Sequence, residues 1–208
     1  MLIKICGMRD SANIQEVAAL KPDLMGFIFY PKSKRYVGES FNPETVHSLM
    51  PEIQTAGVFV NVEIENMICI AKKYRFDHLQ LHGNESPRYC KEAQEEGFKV
   101  IKAFGLHNDF DWNMLQPYQK VCDYFLFVTS TKDYGGSGQK FNWEMLSQYK
   151  LQHPFILSGG ISPDDVEHIK NLNNPYAAGI DINSKFEIEP GMKDIALLKV
   201  FLKNIRLS

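Results

Sequence analysis

Leu24-Met25-Gly26-Phe27-Ile28-Phe29-Tyr30 runs for seven residues without a charged or strongly polar side chain. A strand with one wet face alternates apolar and polar residues, because successive side chains point to opposite sides. A run without alternation predicts a strand covered on both faces, as in a parallel sheet layered by helices. Further short runs, most of them continuously apolar, follow at Leu2–Cys6, Thr55–Val60, His78–Leu81, Val100–Phe104, Tyr124–Val128, Phe155–Ser158 and Ala178–Ile182. That makes eight strands.

The segments between them read as helices with polar or proline starts. Asp10 precedes Ser11–Leu20, and Asn42-Pro43 opens Pro43–Met50. Asn61 precedes Val62–Tyr74, and Ser162-Pro163 opens Pro163–Lys170. The fifth segment, Asp109–Tyr118, is short and contains Pro117. Eight strand–helix units in 208 residues leave about 26 each, a compact α/β (β/α)8 barrel of the TIM type with eight parallel strands. No linker or composition shift divides the chain, so residues 1–208 read as one domain. An open doubly wound sheet is the competing architecture, but eight repeats without a GxGxxG motif favour closure.

The composition, 44% hydrophobic and 23% charged, is that of an ordinary globular chain. A formal net charge of −2 predicts no general affinity for nucleic acid or an anionic membrane. Cys6, Cys69, Cys90 and Cys122 are scattered without metal-ligand spacing, which points to a reducing compartment and to neither zinc nor disulfides. No apolar run approaches the ~18 residues of a membrane span, and no signal peptide opens the chain. The expectation is a cytoplasmic protein, monomer or homodimer.

In a barrel of this kind chemistry gathers at the C-terminal ends of the strands. That face collects Cys6, Arg35, Asn61, His82, Val128, Ser158-Gly159-Gly160, Asp181, Asn183 and Ser184. Cys6 ends the first strand, where a base or nucleophile would stand, and Lys4 two residues earlier shares its face. Cys69, Cys90 and Cys122 fall in or beside helices, where cysteine serves as a small packing residue. Gly159-Gly160 opens a turn into a helix start, suited to an anion. Together with Asp181-Ile182-Asn183-Ser184 it occupies the loops that usually hold phosphate in this fold. Arg35, in the basic loop Lys32–Arg35, has the planar fork that grips a carboxylate or phosphate. His82 closes another strand and faces the same mouth. Asp133–Gly138 is either a lid or a plain connection.

These pieces, in order, resemble the phosphoribosylanthranilate isomerase family. The matching segments are KICGM at 4–8, GFIFYPKSKRYV at 26–37, AGVFVN at 56–61, LQLHGNES at 79–86 and IKAF at 101–104. They continue with YGGSG and FNW within 134–143, LSGGI at 157–161 and PGMKD at 190–194. The resemblance implies a cofactor-independent Amadori rearrangement in tryptophan biosynthesis, turning an aminoaldose into an aminoketose phosphate. It implies Cys6 as general base, and Arg35 on the anthranilate carboxylate. His82 and Asp181 would contact the substrate, and Gly159, Gly160, Asn183 and Ser184 would take the phosphate. Two departures stand out. The family's general acid is an aspartate at the end of the sixth strand, and counting back from Gly135 puts Val128 there. Losing a positioned acid costs about 10²–10⁴-fold in rate. After the eighth strand the family's small residues and glycine give way to Asn183-Ser184-Lys185-Phe186-Glu187. Three readings follow: an isomerase served by another acid such as Asp133, Asp181 or water; a binding protein for the same ligand; or an isomerase of another phosphosugar.

Overall fold

The computed structural model describes residues 1–129 and 142–207. Eight strands close into a barrel, each parallel to its neighbours: β1 Leu2–Cys6, β2 Leu24–Ile28, β3 Gln54–Phe59, β4 His78–Leu81, β5 Lys99–Leu106, β6 Tyr124–Thr129, β7 Phe155–Leu157 and β8 Ala177–Ile182. The seam is β1 against β8, with Lys4 opposite Asp181. The eight apolar runs are therefore the eight strands. β2 stops at Ile28, two residues before Tyr30; Pro31, with no N–H, cannot carry the ladder further. β5 runs on to Leu106, where it pairs with Thr129.

The helical layer departs further from expectation. α1 spans Ser11–Ala18, and its cap Asp10 accepts from the Asn13 N–H at 2.8 Å. α2 is a single turn, Glu44–His47, rather than Pro43–Met50; Pro51, with no N–H, cannot donate to the His47 carbonyl. α3 is Ile64–Tyr74 and α4 Pro87–Glu95, the latter capped by Ser86. The fifth unit holds only a 3-10 turn, Trp112–Tyr118, around Pro117. After β6 comes another, Trp143–Gln148. After β7 a 3-10 turn at Pro163–Asp165 leads into α5, Val166–Lys170. Five residues carry little macrodipole, so any anion site here depends on the glycine turn rather than on a helix end. A small antiparallel ribbon, β9 Glu187–Glu189 with β10 Met192–Lys193, precedes α6 Ile195–Arg206.

Two apolar cores result. Leu24, Ala56, Ile101, Ala103, Leu126 and Ile156 fill the barrel interior. A larger cluster rich in phenylalanine, including Phe27, Phe59, Phe125, Phe127 and Phe155, lies between strands and helices. Among the described residues no helix is long and apolar enough to cross a membrane.

At the barrel floor one device repeats. Asp23, Asp77 and Asp123 each precede an even-numbered strand, and each accepts at 2.7 Å from the amide of the second residue of the strand before: Ile3, Thr55 and Val100. A carboxylate accepting a backbone N–H makes a charge-assisted bond, stronger than a neutral one. Each fixes the stagger of one strand pair and so the height at which its far end meets the mouth. Asp123→Ala is expected to lower unfolding free energy by about 1–2 kcal/mol, read as a fall in the urea midpoint at unchanged slope.

Candidate active site

A cavity of about 570 Å³ opens at the C-terminal mouth, walled by residues from all eight units. The inward side chains of β1 set its floor. Lys4 and Cys6 share the inner face, and both lie against Gly26 of β2. A Cβ at Gly26 would come within 2.8 Å of Cys6 Sγ and 3.1 Å of Lys4 Nζ. Glycine is required there for space. At Gly7, φ is +78°, and a Cβ would fall 2.7 Å from both Arg35 Cδ and Asn183 Oδ1. The turn after the cysteine is thus reserved for glycine twice over.

Lys4 is wholly buried, and its ammonium donates to Asp181 Oδ1 at 2.9 Å. Asp181 Oδ2 accepts from Ser158 Oγ at 3.0 Å. Burial works against the Lys4 charge, but Asp181 and Cys6 outweigh it and hold the ammonium above its ordinary range. Cys6 moves the same way for the opposite reason. Burial pushes the thiol up, Lys4 opposes this, and Asp181 reinforces it. Cys6 is therefore held as a thiol, with a cation beside it to receive a thiolate.

His82 follows directly on β4, with its Nδ1 2.9 Å from Gln80 Nε2. Burial, with Lys102 and Lys4 adding positive charge, lowers the imidazole to about 4, so it is neutral near pH 7. The loop beyond it is stapled from below. Glu85 accepts from the amides of Asn61 and Gly83 and pairs with Lys102 at 3.1 Å, both side chains about 2% exposed. Lys102 also donates to the carbonyls of Leu81, Gly83 and Ala103.

The structure brings Cys6, His82, Asp181, Gly159, Gly160, Asn183 and Ser184 to one cavity wall, with Val128 of β6 among them. Gly159 and Gly160 have φ of +88° and +68°, the left-handed region that a turn this tight demands. Arg35 stands outside that wall. Its Nε and Nη2 grip Glu187 at 2.9 and 2.6 Å. Lys193 Nζ reaches the same carboxylate at 2.7 Å and Asn183 Oδ1 at 2.7 Å. Burial disfavours the Glu187 charge, but Arg35 and Lys193 prevail and keep it below the usual carboxylate range. Asp133 and Gly135–Gly138 lie outside the described residues. Among the described residues no group of His, Cys, Asp or Glu is arranged to hold a metal ion.

Sequence reading missed Gln80, Glu85, Lys102, Glu187 and Lys193. Gln80 carried a signal, since residues two apart on a strand share a face and His82 had been marked. The other four look like surface charges until loops and strands are brought together.

Fold and site together define the class: a (β/α)8-barrel enzyme with its reactive side chains at the C-terminal mouth. Residues 3–204 match the family model described as N-(5'phosphoribosyl)anthranilate (PRA) isomerase. A protein named N-(5'-phosphoribosyl)anthranilate isomerase from Parabacteroides distasonis is 48% identical, over 99% of this chain and 93% of its own. The crystal structure of phosphoribosyl anthranilate isomerase from Thermotoga maritima superposes with a TM-score of 0.88 at 34% identity, covering 99% of both chains. A structure of the enzyme in complex with reduced 1-(o-carboxyphenylamino)-1-deoxyribulose 5-phosphate gives a TM-score of 0.85 at 30% identity, covering 99% of this chain and 98% of the other. The chain belongs to this family, the isomerases that perform the Amadori rearrangement of tryptophan biosynthesis.

Gly26→Ala tests the packing of the site. The added methyl must displace Cys6 Sγ or Lys4 Nζ, and overpacking of this kind costs about 1–3 kcal/mol. The expected result is a lower thermal midpoint together with loss of turnover. An unchanged enzyme would show that the thiol and ammonium have room to spare.

Proposed function

We propose that this barrel isomerises N-(5-phosphoribosyl)anthranilate to the aminoketose phosphate, with Cys6 as the general base. The observation that carries the reading is the buried Lys4–Cys6 pair at the end of β1, at a cavity whose wall also carries the double-glycine turn after β7, two strands away. Family membership supports the substrate; the geometry supports the roles. The phosphate lies against Gly159, Gly160, Asn183 and Ser184, where absent side chains let backbone amides approach an anion. Deep in the cavity the Cys6 thiolate takes the C2 proton of the ring-opened Schiff base, and Lys4 balances the charge before and after. Asp181 holds Lys4 in place: with both oxygens accepting, it is a poor source of a proton. Arg35 grips the anthranilate carboxylate only by sharing a guanidinium that Glu187 already holds by Nε and Nη2.

A second reading rests on one residue. Val128 has no proton to give, so the chain would bind the ligand without converting it at an enzymatic rate. Loss of anthranilate-type fluorescence on conversion of the substrate separates the two. Turnover at an ordinary rate supports the isomerase; binding of the reduced product analogue without turnover supports the binding protein.

Two outcomes follow from Cys6. Cys6→Ser should lower kcat by about 10²–10⁴-fold while leaving affinity for the reduced product analogue nearly intact. The pH dependence has a definite sign. The active form is deprotonated, and burial raises the thiol, so kcat/KM should climb with pH. Its midpoint should lie above the ~8.5 of an ordinary cysteine. A flat profile between about pH 6 and 10 would remove Cys6 from the role of base.

A further inference from the structure

Opening the ribosyl ring needs a proton on its oxygen, and the resemblance puts the acid that would supply it at the β6 position held here by Val128, so the other donors that the described residues bring to the cavity have to be weighed. Asp181 accepts at both oxygens. Glu85 is taken by two backbone amides and Lys102. Lys102 is spent on three carbonyls and that same carboxylate. The Tyr118 hydroxyl donates to the Glu85 carbonyl at 3.0 Å. His107 sits in the exposed rim.

His82 differs from all of these. Only its Nδ1 is engaged, by the Gln80 amide. Its Nε2 meets no protein partner among the described residues, on a side chain that lines the cavity. An amide N–H donated to Nδ1 leaves the ring's single proton on Nε2. Gln80 itself is 1% exposed, and its Oε1 is a buried acceptor with no partner, also on the cavity wall. Buried polar atoms are nearly always satisfied. A sugar hydroxyl seated beside His82 would satisfy this one.

We propose that His82, held as its Nε2–H tautomer by Gln80, is the proton donor that opens the ribosyl ring in this chain, with Gln80 Oε1 accepting a hydroxyl of the same ribose. The inference rests on the isomerase reading above. The Nε2 proton passes to the ring oxygen as the C1–O bond breaks, and the anthranilate nitrogen lone pair closes the C1=N bond. Cys6 thiolate then takes the C2 proton, and the electron pair of that C–H bond becomes the C1=C2 bond of the enolamine. As the ketone forms, the C2 hydroxyl returns a proton to His82 and C1 takes the one held by Cys6. No proton is gained or lost overall, as an isomerisation requires. Two features favour release from a neutral ring: the hydrogen bond donated to Nδ1, and the cations of Lys102 and Lys4 nearby. Facing His82 are Gln80, Lys102 and Lys4, with Glu85 neutralising Lys102.

A double-variant cycle with Val128→Asp decides the matter. His82→Asn alone should lower kcat by about 10²–10⁴-fold with KM nearly unchanged. In the V128D background, where a carboxylic acid is restored, the same substitution should cost less than about tenfold. Equal cost in both backgrounds would assign His82 to positioning or binding and overturn the proposal. Binding of the reduced product analogue by each variant confirms that the site is folded. Nitrogen NMR of the imidazole gives a readout apart from rate: a protonated Nε2 and bare Nδ1 are expected, and the reverse tautomer overturns the proposal. If wild type and V128D both bind the analogue and neither turns over, the isomerase reading itself falls. If wild type turns over and H82N matches it, only the role of His82 falls.

Discussion

Lys4 and Asp181 face each other across the seam where β8 meets β1, and their 2.9 Å ion pair lies inside the barrel with neither group more than 6% exposed. A charge buried there is tolerable only with its partner. Removing one side of such a pair typically costs about 3–5 kcal/mol, whereas replacing both with apolar residues is often neutral. The pair is therefore a poor explanation of stability and a good one of function. It places a permanent cation beside a thiol in a medium where a thiolate would otherwise be too costly. Ser158 completes the arrangement from β7, so three consecutive strands around the closure point serve one sulfur atom.

The same pairing recurs at two other places on the mouth. Lys102 with Glu85 fixes the loop after β4, and Lys193 with Glu187 fixes the ribbon after β8. In each case a buried lysine is met by a carboxylate that also receives backbone amides or a second cation. Loops are normally the mobile part of a barrel, and here two of them are anchored by charges that cannot leave each other without exposure. The floor carries a milder version, the three aspartates that hold strand starts. Register set at the bottom and loops pinned at the top leave little freedom for the residues between.

The strands were legible because a strand buried on both faces writes a continuous apolar run, and Leu24–Ile28 or Phe125–Phe127 can hardly be read otherwise. The helical layer was less legible where proline intervenes: Pro51 shortens α2 and Pro117 leaves a 3-10 turn, effects of backbone geometry that periodicity does not register. Strand ends exposed Cys6, His82 and Asp181 as candidates. Glu85, Lys102, Glu187 and Lys193 stayed hidden because a charged residue in a loop or strand edge reads as solvated surface. Only the closed barrel brings residues 35, 187 and 193 together and buries what they share. Arg35 is the instructive case: its side-chain type suggested a ligand grip, and its first partner is a carboxylate of the protein itself.

Under the proposed assignment of the acid's position to Val128, the electrostatic problem that the cavity must solve also changes. A thiol base works above its pKa, and a carboxylic acid donates only below its own, so the two restrict each other to the few molecules in which both are in the right state. A carboxylate at position 128 would add negative charge to a cavity where Asp181 already raises Cys6. Valine adds none. A neutral imidazole with a conjugate-acid pKa of about 4 keeps its Nε2 proton throughout the range in which Cys6 becomes a thiolate. With His82 as the proposed acid and Cys6 as the proposed base, the two no longer compete for the same pH window, and the ionisation of Cys6 alone would govern the rate. The weaker acidity of a neutral ring is the cost of that arrangement, and the cations of Lys102 and Lys4 stand where they reduce it.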